Sequence, residues 1–183
     1  ISNEKELASS YLVKFSRLIR MYLDYSQQNE ITLEEELNAL KLYLELEKVR
    51  FEDELTYSLN VDKKLNVRQI KVPSLFIQPY VENALKHGLL HKSGERLLNV
   101  EANATNENTL VITVEDNGIG RQQSEALKRS DKPHKPFATK ANEERVRLYK
   151  NKLKRNINIE IIDLYNSNQQ PTGTKVVITM PIQ

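Results

Sequence analysis

The stretch Thr109-Leu110-Val111-Ile112-Thr113-Val114-Glu115-Asp116-Asn117-Gly118-Ile119-Gly120 decides how the rest of the chain is read. Thr109 to Glu115 has the composition of a strand, and the strand ends directly in Asp-x-Gly-x-Gly. A carboxylate at a strand end sits at the margin of a sheet, where it can accept a hydrogen bond from an exocyclic amine. Two glycines let the backbone approach a ligand or turn with positive φ. The same letters also spell an ordinary Asp-Asn-Gly turn, so the stretch needs support from its surroundings.

Working outward, a second strand pattern runs from Arg96 to Ala104, and Thr105-Asn106-Glu107-Asn108 reads as the hairpin turn between the two. Upstream, a helix is expected to begin at Val72-Pro73-Ser74 and run to His87, with Gly88 at its C′ position and Pro79 perturbing it. Downstream, Arg121 to Pro136 holds five Lys or Arg, two acids and two Pro, which predicts a mobile basic loop with one short helical turn at most. A helix is expected from about Thr139 to Leu153. Ile157 to Tyr165 and Thr174 to Met180 read as the last strands, joined by a turn-rich Asn166 to Gly173.

The first third is helical. Leu7, Tyr11, Phe15, Leu18, Tyr22 and Tyr25 recur at steps of three and four, and Thr32 with Glu35 forms a capping box opening a second helix striped by Leu33, Leu37, Leu40, Leu44 and Phe51. Two such helices joined by a short polar turn pack as an antiparallel hairpin, and an uncovered apolar face becomes a dimerisation surface. Alternation at Leu55, Tyr57, Leu59 and Val61 then marks a strand. The expected domains are residues 1–52, a helical hairpin, and residues 53–183. Strands in adjacent pairs with helices to one side make the second an α+β, two-layer α/β sandwich with a mixed, mostly antiparallel sheet, not a Rossmann fold.

The chain has 183 residues, 27 Lys plus Arg against 25 Asp plus Glu, and no Cys or Trp. A net charge of +2 does not imply nucleic-acid binding, and the absence of Cys removes disulfides and thiolate metal sites. No apolar run reaches the length of a membrane span.

On the third helix, Asn83 and His87 lie four apart and share a face, with Lys86 three from Asn83. An amide oxygen is a hard Mg²⁺ ligand and a cation offsets phosphate charge, so the set suits a metal-bridged polyphosphate. A solvated polar face whose Lys86 and His87 complement the helix dipole explains the same residues. Gly173-Thr174 at the entry to the last strand is unremarkable by itself.

In combination these pieces form an ordered signature. An Asn-bearing helix, a strand ending in Asp-x-Gly-x-Gly, a long loop and helix, and Gly-Thr before a terminal strand resemble the GHKL (Bergerat) ATP-binding fold. More closely, Ile77-Gln78-Pro79-Tyr80-Val81-Glu82-Asn83-Ala84-Leu85-Lys86-His87-Gly88 resembles the N box of the LytS-like sensor histidine kinases, and Glu36-Leu37 to Arg50-Phe51 resembles that family's second helix. The resemblance spans essentially the whole chain. It implies that Asp116 binds the adenine amine, that Gly118 and Gly120 shape the pocket, and that Thr174 supports the same network. By the same resemblance Asn83 would ligate a Mg²⁺ bridging the phosphates of ATP, and a catalytic part would fall to Glu82, Lys86 and His87. Arg121 to Pro136 becomes the ATP lid, with Lys140 and Arg145 as nucleotide contacts at its end and in the following helix.

Three departures accompany the resemblance. Pro136-Phe137-Ala138-Thr139 lacks the glycines of the family's second glycine box. Pro79 stands where many members carry an acidic or amide side chain, leaving Glu82 or Gln78 as substitutes. The phosphoacceptor motif Asn-Pro-His-Phe-Leu-Phe-Asn is absent, and His87, His91 and His134 have no acceptor context, so the chain is expected to be a fragment beginning just after the acceptor helix. The family implies the ATP-binding catalytic portion of a two-component kinase, homodimeric in its parent, cytoplasmic, anchored to the membrane only through a preceding region, and passing phosphate to a response regulator receiver domain. The alternatives are a nucleotide-binding pseudokinase or dimerisation scaffold, another GHKL machine of the topoisomerase or chaperone branches, or a module that binds no nucleotide.

Overall fold

The computed structural model describes residues 2–52, 54–106, 108–130, 147, 151 and 156–182. In chain order its elements are α1 (Ser2–Ser26), β1 (Glu30–Thr32), α2 (Leu33–Arg50), β2 (Leu55–Val61), β3 (Lys71–Pro73), α3 (Gln78–Asn83) running into a π-helical stretch (Ala84–Leu89), β4 (Arg96–Asn106), β5 (Thr109–Asp116), α4 (Gly120–Ser130), β6 (Asn158–Tyr165) and β7 (Pro171–Pro181). They fall into two compact units, Ile1–Glu54 with Asn66–Ile77, and Leu55–Leu65 with Gln78–Gln183.

In the first unit α1 and α2 form the expected hairpin, crossed by an ion pair between Lys14 and Glu45 at 2.8 Å. Both halves of the capping box are present: the Glu35 N–H donates to Thr32 Oγ1 at 3.1 Å, and the Thr32 N–H donates to the Glu35 carboxylate at 2.7 Å. The stripe Leu33, Leu37, Leu40, Leu44 and Phe51 is buried. One feature was not visible in the periodicity. β1 pairs antiparallel with β3, seating Ile31 opposite Val72, so Val72-Pro73 belongs to a strand and does not open a helix. Three-residue strands are too short to show a period, and the pair draws Asn66–Ile77 into the helical unit.

The second unit is an α+β sandwich on a five-stranded sheet of order β2-β4-β5-β7-β6. β2 runs parallel to β4, and the other three pairs are antiparallel, the mixed and mostly antiparallel sheet that the sequence predicts. The parallel pair requires a crossover, and the chain spends it on β3 and α3. Leu98, Val100 and Ala102 of β4, Leu110, Ile112 and Val114 of β5, and Val176, Ile178 and Met180 of β7 form the inner face. Burying each of the larger of these is worth about 1.5–3 kcal/mol, enough to fix the register of the strands.

The helices of this unit differ from expectation. α3 starts at Gln78, six residues into the predicted helix, so Pro79 falls in its first turn, where the missing N–H has no partner to lose. After Asn83 the helix widens: Leu90 N–H bonds the Leu85 carbonyl at 2.8 Å, five residues back. Gly88 lies inside this π-helical stretch and has no positive φ, so it is not a C′ glycine. Residues 121–130, expected to be loop, continue from Gly120 as the eleven-residue α4. Its sequence is mostly polar, and Ser124 is buried on it. The second half of the expected lid and most of the helix from Thr139 to Leu153 lie outside the described residues.

Candidate functional site

Alternation along β5 places Asp116 on the inner face, next in line after Leu110, Ile112 and Val114, and leaves it 4% exposed. It sits in a row of paired positions that runs Leu98, Asp116, Thr174, Asp163 across the sheet. Burial pushes its carboxyl up to about 6, while the backbone N–H groups of Gly118 and Thr174 favour the ionised form. The Gly118 N–H donates to Oδ1 at 2.8 Å. A carboxylate has lone pairs beyond these two bonds, so a buried Asp116 can accept from a further donor that reaches it.

Three glycines make room for it. A Cβ on Gly88 would lie 2.6 Å from Asp116 Oδ1. A Cβ on Gly118 would strike the Gly88 backbone as well as Oδ1, and one on Gly173, whose φ is +143°, would strike the Asp116 carbonyl. The Ile119 N–H donates to the Gly88 carbonyl at 3.1 Å, tying the π-helical stretch to the loop after β5. Asn117 pins the same loop from the other side: its Oδ1 accepts from the Leu97 N–H at 2.9 Å and its Nδ2 donates to the Glu95 carbonyl at 3.1 Å. Gly120, with φ +77°, starts α4 against Pro171.

Glu82 and Asn83 end α3, and Lys86 and His87 lie one turn on, in the π-helical stretch. Gln78 Nε2 donates to Glu82 Oε1 at 3.2 Å and Lys86 Nζ to Glu82 Oε2 at 2.9 Å, so Glu82 is held from both sides. Asn83 and His87 are half-buried. Arg121 at the base of α4 grips Asp163 with two hydrogen bonds of 2.7 Å, which holds the Asp163 carboxyl below the usual carboxylate range. That guanidinium, counted in the sequence among the lid's cations, is committed to the sheet edge. Lys140 and Arg145 lie outside the described residues. Sequence reasoning gave Gly88 the wrong task and passed over Asn117, whose side chain is the pin that holds the loop.

A family model described as histidine kinase matches residues 1–55. The chain is 36% identical over 117 residues, 64% of its length and 20% of the relative's, to the sensor protein LytS of Staphylococcus haemolyticus. Over 167 residues, 91% of the chain and 27% of the relative, it is 30% identical to LytS of Oceanobacillus iheyensis. The chain belongs with the LytS-like histidine kinases. It spans between a fifth and about a quarter of the length of these LytS relatives. The fold of this LytS-like chain is also that of solved kinases. The histidine kinase domain from the Erythrobacter litoralis EL346 blue-light activated histidine kinase superposes with a TM-score of 0.56 at 16% identity, covering 96% of this chain and 83% of that one. Histidine kinase ThkA, solved in complex with the response regulator TrrA, superposes with a TM-score of 0.51 at 13% identity over 97% of this chain and 50% of its own. Among the described residues, no helix is long and apolar enough to cross a membrane.

Proposed function

We propose that the second unit of this LytS-like chain binds ATP with Mg²⁺, and that in its parent protein it transfers the γ-phosphoryl group to a histidine for relay to a response regulator. The observation that carries the reading is the Asp116 cradle: a buried carboxylate packed so closely by Gly88, Gly118 and Gly173 that a Cβ on any of the three would strike Asp116 itself. Asp116 reads the adenine amine. The Gly118 N–H holds Oδ1, and the carboxylate keeps lone pairs with which to accept from the ligand.

Asn83 is the Mg²⁺ ligand of the reading, with Gly120 and Thr174 lining the nucleotide side and Lys140 and Arg145 contributing from the end of the lid. The metal supplies charge neutralisation across the phosphates. Glu82, Lys86 and His87 stand one turn apart beside Asn83, and the Glu82–Lys86 ion pair keeps an ammonium in reach of that end of the site. Phosphoryl transfer asks the protein for positioning and charge more than for covalent help, which a set of Asn, Asp and cations provides.

The same reading gives the parent a homodimeric arrangement, a receiver domain as partner and a place on the cytoplasmic side, where ATP is available. It takes the second unit, Leu55–Leu65 with Gln78–Gln183, as the nucleotide-binding domain, in place of a division at residues 1–52 and 53–183 that would have counted Asn66–Ile77 with it. Calorimetric titration of ATP with and without Mg²⁺ into the chain, alongside Asp116→Asn and Asn83→Ala, tests it. Binding abolished by Asp116→Asn and made independent of Mg²⁺ by Asn83→Ala is the expected result. Unchanged binding in both variants would refute the site. Phosphorylation of an added acceptor helix distinguishes a kinase from a nucleotide-binding scaffold.

A further inference from the structure

Three successive backbone N–H groups after β5 point to three different acceptors. That of Asn117 donates to the Leu97 carbonyl at 3.2 Å, that of Gly118 to Asp116 Oδ1 at 2.8 Å, and that of Ile119 to the Gly88 carbonyl at 3.1 Å. Within three residues the chain leaves the ladder, folds back over its own carboxylate and crosses to the π-helical stretch. What stops the ladder at that point is a side chain. β4 and β5 pair antiparallel with Leu98 opposite Asp116, so the register sets Leu97 opposite Asn117. In an antiparallel sheet such a pair exchanges two backbone bonds. Asn117 supplies the first from its N–H, but the bond returned by the Leu97 N–H goes to Asn117 Oδ1 at 2.9 Å. Asn117 Nδ2 extends the row by donating to the Glu95 carbonyl at 3.1 Å. The amide thus takes the place that main-chain groups of β5 would hold if the strand ran on. It suits that place because it carries an acceptor and a donor side by side in one plane. A carboxylate there would set an anion against the Glu95 carbonyl.

We propose that Asn117 is a positioning residue for adenine recognition: its side chain closes the last rung between β4 and β5, so that the backbone turns over Asp116 at the next residue and holds the carboxylate in one place. The inference rests on the nucleotide reading above and adds to it a side chain whose own bonds go to Leu97 and Glu95. All the groups involved belong to the second unit. The glycine backbones around Asp116 pack too closely to admit a Cβ, so a turn that shifts moves the carboxylate with it.

The test compares the chain with Asn117→Ala and Asn117→Asp. Amide hydrogen exchange is read at Leu97, and affinity is read for ATP and for ITP, both with Mg²⁺. The two nucleotides share ribose and phosphates, and in ITP a carbonyl oxygen replaces the exocyclic amine. The ratio of their affinities therefore reports where the Asp116 carboxylate stands, and ATP should bind the unsubstituted chain more tightly. In Asn117→Ala, exchange at Leu97 should rise about fivefold or more, the scale of one lost hydrogen bond, and the ATP-over-ITP ratio should fall by a similar factor. Asn117→Asp keeps an acceptor for Leu97, so exchange there should stay near that of the unsubstituted chain, while the lost bond to Glu95 narrows the ratio by a smaller factor. Should Asn117→Ala fail to fold, Asn117→Asp carries the test.

A ratio that stays put in the variants overturns the positioning role even where both affinities fall, because a loss of folded protein scales the two alike. Exchange at Leu97 that does not change in Asn117→Ala overturns the rung. If the unsubstituted chain binds neither nucleotide, or binds both equally, the adenine reading has failed and the role of Asn117 falls with it. That case is recognised because exchange at Leu97 still responds to Asn117→Ala.

Discussion

Asp116 is both the residue on which the nucleotide reading turns and a liability to the fold. Its carboxyl titrates near 6 in the folded chain and near 3.8 when exposed, so between these values the folded state holds the proton more tightly. The contribution is fully present below about pH 4 and is lost as pH rises through 6, an amount on the order of 3 kcal/mol. Chemical denaturation at pH 4 and pH 7 should show this component in the unsubstituted chain and lose it in Asp116→Asn, which should be the more stable protein at neutral pH. Nucleotide affinity should run the other way, weakening as pH falls below about 6 because the protonated carboxyl no longer offers a free acceptor. In Asp116→Asn the Gly118 N–H holds the amide oxygen, the amide NH₂ faces the adenine amine, and binding should be lost. Titration of ATP across pH 5 to 8 checks both statements.

Gly88 teaches a related lesson at the same scale. A glycine after a helical pattern reads as a C′ residue, and sequence has no means of telling that from a glycine required by a neighbour far away in the chain. Gly88→Ala should displace the Asp116 carboxylate, cost about 1–3 kcal/mol of stability and abolish nucleotide binding, measured by thermal unfolding and titration. A C′ glycine would instead tolerate alanine at a cost of about 1 kcal/mol with binding intact.

At the scale of elements, what was legible follows the strength of the period. The inner row of β5, the stripe of α2 and the capping box at Thr32 were all readable, because alternation, three-four spacing and a cap each repeat or pair within a few residues. β1 and β3 were not, since each has three residues. α4 was not, because polar residues fill it and its anchor is the contact of Arg121 with Asp163, forty-two residues on. The widening after Asn83 was invisible for a similar reason: the Gly88 carbonyl bonds Ile119 across space. Two predictions belong here. Thr32→Ala should cost about 1 kcal/mol by denaturant titration and let the Glu35 carboxyl, now held low by the Thr32 N–H and hydroxyl, titrate nearer its ordinary value. Asp163→Asn should cost no more than about 1 kcal/mol, the pair being half exposed, and should leave adenosine affinity unchanged.

At the scale of the molecule, the helical unit leaves apolar surface uncovered. Leu12, Phe15, Ile19 and Leu23 follow one another along α1 at steps of three and four, and all are exposed. The reading of the parent as a dimer predicts that the chain self-associates through this row. Sedimentation velocity over a hundredfold range of concentration should show a monomer–dimer equilibrium, and Leu12→Glu with Leu23→Glu should leave only monomer without changing nucleotide affinity. A chain that stays monomeric throughout would remove the row as a dimer contact.

The strict inward phase of Leu110, Ile112, Val114 and Asp116 limits how this strand can change in length over evolution. One residue inserted or deleted before Asp116 would turn the carboxylate out to solvent and bury Glu115 in its place, while a change of two would restore the face and alter only the reach. Descendants of this sequence can therefore vary the letters of β5 freely within the apolar set, but can gain or lose length there only in even steps, or by a bulge that absorbs the odd one.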